Sequence, residues 1–189
     1  MSRDESLDLI RQECWDRALY AHGTARIFED RARQTARYRR LLTFLGIVVP
    51  VAVGGVILSF GTTSGWLPHL LAAAGALSVV QLVSSVWSLT ARWDERLAYA
   101  RESASENYRL SEQFRKLGAD PPSDARLRFE ILEVAYQARQ AADYKEDVTP
   151  EEKRKGYCAG LLRFRRECTQ CGRIPGSMKA SSCPMCGDF

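Results

Sequence analysis

Four cysteines near the end of the chain carry its clearest chemistry. Cys168 and Cys171 form one C-x2-C pair and Cys183 and Cys186 a second, with eleven residues between the pairs. Gly172 and Gly187 follow the second cysteine of each pair, and Pro184 sits inside the second. Turns of this composition aim two thiolates and several backbone N–H groups at one point. Two such turns complete a tetrahedral all-thiolate site, which suits Zn2+. All four ligands are protein sulfurs, so no coordination position is left for a reactive water. The expected role of the metal is structural: it folds a short segment that has too few apolar residues for a core of its own. The expected form is a small zinc ribbon over 167–189.

Little else in the chain is suited to catalysis. It has two histidines. His22 falls on a helix with no evident cysteine, serine or metal-ligand partner, and reads as a packed or surface residue. His69 reads as an interfacial one. No enzyme is expected, and no catalytic residue is assigned. Cys14 and Cys158 read as small unpaired core thiols.

Charge is unevenly spread. The chain carries 27 Lys and Arg against 23 Asp and Glu, a net charge of +4. The last forty residues account for this excess, and Arg163, Arg165 and Arg166 are candidate contacts for an anionic partner. A solvated surface explains the same charges, and direct nucleic-acid binding is disfavoured.

The elements that must position these residues are helical. Leu41–Phe60 and 67–89 contain no Asp, Glu, Lys or Arg. Each is about as long as the hydrocarbon core of a bilayer, ~30 Å at ~1.5 Å per residue. Both are read as transmembrane helices joined by a short Gly/Ser/Thr-rich turn. Arginines flank the pair on the outer sides and none lies in the turn. The positive-inside rule therefore places both termini in the cytoplasm. No secretory leader is expected before the first run. Gly46, Pro50 and Gly54 recur every four residues, as a helix-packing or hinge face. Ser78, Gln81, Ser85 and Ser88 share one face of the second run and are candidate pore-lining residues. The same face also reads as hydrogen bonding to the neighbouring helix, the commoner role of small polar residues between helices.

Outside these runs, Leu7, Ile10, Cys14, Ala18, Ala21, Ala25, Phe28 and Ala32 step by three or four, as do Trp93, Leu97, Ala100, Ala104 and Tyr108. Two long helices packed through alanine are expected. Pro121-Pro122 ends the second of them. Ser123 can cap the next helix, whose stripe is Leu127, Ile131, Val134, Ala138 and Ala141. Thr149-Pro150-Glu151-Glu152 opens another with a capping box. The domain reading is an N-terminal helix over 1–40, a hairpin over 41–89, a helical region over 90–166 and the ribbon. The fold class is an all-α membrane protein.

With these parts in place the chain resembles the SLATT superfamily of two-transmembrane bacterial proteins, and within it the mobilome C-x2-C-x11-C-x2-C family. The resemblance rests on Phe28-Glu29-Asp30-Arg31-Ala32, Pro50, Gly54, Glu151-Glu152-Lys153-Arg154 and the four cysteines. It implies a homo-oligomeric, pore-forming effector of the inner membrane in bacterial anti-phage or mobile-element conflict. The partners implied are a lipid bilayer and a nucleotide second messenger or upstream sensor protein. A non-conducting membrane-anchored adaptor or sensor, using the ribbon for protein or nucleic-acid contact, is the alternative.

Overall fold

A computed structural model describes residues 3–60, 65–90 and 92–189. Five helices follow one another: α1 (Arg3–Phe60), α2 (Leu67–Thr90), α3 (Trp93–Ala119), α4 (Ala125–Asp143) and α5 (Pro150–Phe164). Among the described residues there is no strand. The chain divides into two units, one of Met1–Asp30 with Tyr99–Phe189, the other of Arg31–Ala98.

The first unit is built on the alanine stripe of α1. Cys14, Ala18, Ala21, Ala25 and Phe28 are buried, as are Ala100, Ala104, Leu110, Phe114 and Leu117 of α3. Small side chains let the two backbones approach, and the Ser111 hydroxyl on α3 donates to the Ala18 carbonyl at 2.7 Å. Phe114 then meets Phe129 and Tyr136 of α4 edge-on, at 5.9 and 5.8 Å. These rings contribute the bulk that the alanines do not.

α5 begins where its sequence says it should. The Glu152 N–H donates to Thr149 Oγ1 at 3.2 Å and the Thr149 N–H to Glu152 Oε2 at 2.9 Å, with Pro150 in the first turn. It ends at Arg165, whose φ of 50° turns the chain out of the helix toward the cysteines.

α5 lies against α1 almost backbone to backbone. A Cβ on Gly156 would stand 2.7 Å from the Gly23 carbonyl oxygen and 2.8 Å from the Ile27 side chain, and one on Gly160 would stand 2.7 Å from the Leu19 carbonyl oxygen. Gly156 and Gly160 are four apart and share one face. Gly156→Ala is expected to destabilise the first unit by about 2 kcal/mol, since backbone cannot yield as a side chain can. Urea denaturation against wild type measures this.

Two local expectations for α4 are corrected. Ser123 does not cap it: the N-cap is Asp124, which makes no side-chain cap bond. Its carboxylate instead accepts from Arg128 Nε at 2.9 Å. The stripe from Leu127 to Ala141 does not face the core. Ala125, Phe129, Leu132 and Tyr136 pack inward, and Leu127, Ile131 and Val134 are 58%, 61% and 69% exposed. Both faces of α4 are apolar, so periodicity alone did not tell which would be buried.

In the second unit Ala32 and Leu97 are buried and Arg39 pairs with Asp94. α1 continues without a break through Pro50. A Cβ on Gly46 would collide with the Gln81 amide, so α1 and α2 approach closely there. Among the described residues nothing lies within 4 Å of a Cβ placed on Gly54. The Ser78 hydroxyl donates to the Ala74 carbonyl of its own helix at 2.8 Å, and Ser85 is exposed. The side chains of Pro50 and Ser88 lie outside the described residues.

The membrane hairpin is corrected here. Among the described residues no helix is long and apolar enough to cross a membrane. The run Leu41–Phe60 is not a helix of its own but the last third of α1, whose earlier part is heavily charged. In α2, His69, Gly75, Ser78, Gln81, Ser84 and Ser85 interrupt the apolar side chains. With the hairpin go the expectations that need it. These are the membrane fold class, the lipid bilayer as partner, the inner-membrane placement with both termini cytoplasmic, the pore-forming effector and its anchored-adaptor alternative. The zinc ribbon is corrected too, since a ribbon needs paired strands and the segment after α5 has none among the described residues.

Candidate metal centre

After Arg165 the chain makes two knuckle-like turns. In the first, the Gly172 N–H donates to the Cys168 carbonyl at 2.8 Å and the Cys168 N–H to the Arg173 carbonyl at 3.0 Å. Gly172 has φ 65°, a conformation that favours glycine. In the second, the Gly187 and Asp188 N–H groups both donate to the Cys183 carbonyl at 3.0 Å, and the Ser181 N–H donates to the Gly187 carbonyl at 2.8 Å. Any side chain at Gly187 would collide with Ser181, 2.9 Å from its Cβ.

These turns bring the four Sγ atoms of Cys168, Cys171, Cys183 and Cys186 within 4.8 Å of one another. The Cys168–Cys183 and Cys171–Cys186 separations are each 3.9 Å. Cys168, Cys183 and Cys186 are buried and Cys171 is exposed. Backbone N–H groups of Met185 and Cys186 draw the Cys183 thiol down to about 7, so it readily offers a thiolate. Burial, with the neighbouring thiols, pushes Cys186 the other way. Four sulfurs with this spacing are ligand-like and fit one metal ion.

The helices hold the cluster from behind. Leu19 of α1 with Cys158 and Leu161 of α5 are buried against Cys168, Cys183 and Cys186. Arg166 Nη1 donates to Asp16 Oδ1 at 2.6 Å, and Arg154 pairs with Asp188 at 3.8 Å. Cys158, raised by burial and then by Cys168 and Cys183, lies beside the cluster as a packed thiol. Cys14 is pushed up to about 11, chiefly by burial, far from reactive character.

The three candidate anion contacts are not equivalent. Arg166 is committed to Asp16, whereas Arg163 and Arg165 are exposed. His22 is half-buried between the rings of Tyr108 and Phe164, at 5.2 and 5.8 Å. Burial lowers its pKa, Arg163 and Arg26 lower it further, and Glu29 opposes them. An unfolded chain therefore binds a proton more readily than the folded one. Stability should fall as pH drops from about 6.5 toward the folded pKa, and be complete above that range. His22→Gln is expected to remove this part of the slope. Urea midpoints of both proteins at mildly acidic and neutral pH check it, the difference between them cancelling any metal loss.

Sequence reasoning missed a buried polar cluster. Asp143 Oδ1 accepts from the Tyr99 hydroxyl at 2.8 Å, Ser103 Oγ at 2.7 Å and Arg139 Nη2 at 2.7 Å. Asp143 Oδ2 accepts from Asn107 Nδ2 at 2.7 Å. Burial, then the bond to Asp143, pushes the Tyr99 phenol up to about 12. The signal was available: Tyr99, Ser103 and Asn107 are spaced by four, a polar stripe on the inner side of α3.

Fold and site together define an all-α protein with a C-terminal four-cysteine centre of metal-ligand geometry. The model of the mobilome CxxCx(11)CxxC protein family matches residues 11–189, and the chain belongs to that family. The two-transmembrane effector architecture implied by the SLATT resemblance is not found among the described residues. No curated protein and no solved structure matches the chain.

Proposed function

We propose that this protein is a non-catalytic interaction module whose four-cysteine centre binds one structural Zn2+. The observation that carries the reading is the mutual approach of four Sγ atoms within 4.8 Å with protein sulfur as the whole donor set. Such a set prefers zinc and leaves no open position for a substrate or water. The metal locks residues 167–189 onto α1 and α5, so that knuckles and helices present one fixed surface. Arg163 and Arg165 are free to meet anionic groups on a partner, while Arg166 serves the lock. His22, wedged between the rings of Tyr108 and Phe164, fits packing rather than proton transfer. Metal analysis of the purified full-length chain tests the proposal. One zinc per chain with no visible absorption is expected. Iron with visible charge-transfer bands, or metal-free folded protein that takes up no zinc, would overturn it.

A further inference from the structure

α4 is apolar on the side that packs inward and again on the side that faces out. A contiguous apolar stripe left exposed marks an interaction surface. Leu127, Ile131, Val134, Ala138 and Ala141 form the outward stripe, with Leu127, Ile131 and Val134 all more than half exposed and both alanines exposed. The stripe runs ~21 Å at ~1.5 Å per residue. The charges beside it are already neutralised within the helix. Arg126 pairs with Glu130 at 3.2 Å, and Arg128 with Asp124 at 2.9 Å. Covering the face therefore strands no lone charge.

We infer that this face is an interface with a second copy of the chain, with the two α4 helices antiparallel and crossing at Val134. The stripe is bulky at its N-terminal end and small at its C-terminal end. Reversed against itself, it sets Leu127 opposite Ala141 and Ile131 opposite Ala138, with Val134 meeting its own equivalent. Large meets small along the whole length, and the combined volume stays even. A parallel pair would set Leu127 on Leu127 and Ala141 on Ala141, leaving a crowded end and a void.

The polar margin supports the same register. A two-fold axis across the helices brings each flank against its own copy. Arg126, Glu130, Gln137 and Tyr144 occupy one flank. The antiparallel register lays the ring of Tyr144, 88% exposed in the single chain, alongside Arg126 of the other copy, and places Glu130 opposite Gln137. This contact uses neither the metal centre nor α2, so it stands apart from the proposed zinc role.

Sedimentation velocity on the zinc-loaded, full-length chain across the micromolar range tests it. A species of twice 21.3 kDa is expected for wild type, and one of 21.3 kDa for Val134→Glu at the same concentrations. Val134 is exposed in the single chain, so the substitution leaves the fold intact, which far-UV circular dichroism checks. A short bis-maleimide reads the register independently. Val134→Cys should cross-link to itself, and Leu127→Cys should not, since its two copies would lie at opposite ends. A wild-type monomer throughout, a dimer that survives Val134→Glu, or self-linking of Leu127→Cys as efficient as that of Val134→Cys would overturn the inference.

Discussion

Cys183→Ser is expected to release the segment after α5 from the body of the protein while leaving the helices folded. The buried side chains of residues 167–189 are cysteines: Cys168, Cys183 and Cys186. To the apolar cluster around them the segment itself adds Met178 and Phe189, both partly buried. So small an apolar set does not offset the entropy of ordering more than twenty residues, at ~1–2 kcal/mol each. A structural zinc adds about 10–16 kcal/mol of apparent binding energy at neutral pH, far more than any other contact of the segment. Loss of one thiolate leaves three sulfurs and a neutral hydroxyl, and most of that term disappears. The ion pairs Arg154–Asp188 and Arg166–Asp16 are partly exposed and worth about 1 kcal/mol or less each. They cannot hold the segment alone. Trypsin should then cut at Arg173 and Lys179 within minutes, whereas zinc-loaded wild type resists. The far-UV spectrum should barely change, because the segment contributes no helix. Chelator treatment of wild type should reproduce the cleavage pattern, and added zinc should reverse it.

Asp143→Ala carries the second large effect, and this one unfolds helices. The carboxylate takes hydrogen bonds from Tyr99, Ser103, Asn107 and Arg139, and joins the end of α4 to α3. Its removal takes the acceptor from the Tyr99 and Ser103 hydroxyls, while Asn107 Nδ2 keeps the Ser103 carbonyl at 3.0 Å and the Ser103 hydroxyl oxygen at 3.2 Å. It also leaves the Arg139 guanidinium, 4.9 Å from the Tyr99 ring, facing only Glu102 at 3.2 Å. Breaking a buried charge pair by deleting one partner costs about 3–5 kcal/mol. That is a large share of the ~5–15 kcal/mol by which domains are ordinarily stable. Asp143→Asn should cost less. The Asn107 Oδ1 is a buried oxygen with no donor, and flipping that amide would let it accept from the new one. Tyr99→Phe removes a single bond and should cost about 1 kcal/mol. The order Ala, then Asn, then Tyr99→Phe in urea midpoints is the expected result. Equal effects would show that the cluster is not centred on the carboxylate.

Some of this was legible in the residues alone, and the reasons differ from place to place. The cysteine spacing placed the candidate metal centre because two short turns leave few ways to arrange four thiols. The alanine steps of α1 and α3 marked a close helix pair, since only small side chains allow it. The Thr149–Glu152 box is a local device that distant packing does not override. The outer face of α4 was misread because its inner residues, Phe129, Leu132 and Tyr136, are just as apolar. Gly156 and Gly160 escaped notice because their role is fixed by a distant backbone, that of Leu19 and Gly23. Asp143 drew no reading from the sequence, because only the fold brings three donors from α3 to it. The ribbon was inferred from cysteine turns. Pro175 and Gly176 in the linking stretch and Pro184 in the second turn instead deny it the continuous ladder that strands require. The hairpin was inferred from two charge-free runs, and the first of these belongs to a helix that begins nearly forty residues earlier.

X-ray absorption at the zinc edge on the full-length, zinc-loaded chain reaches the metal directly. The expected spectrum fits four sulfurs at about 2.3 Å and nothing else. A first shell containing nitrogen or oxygen, or fewer than four sulfurs, would contradict a closed centre made by Cys168, Cys171, Cys183 and Cys186.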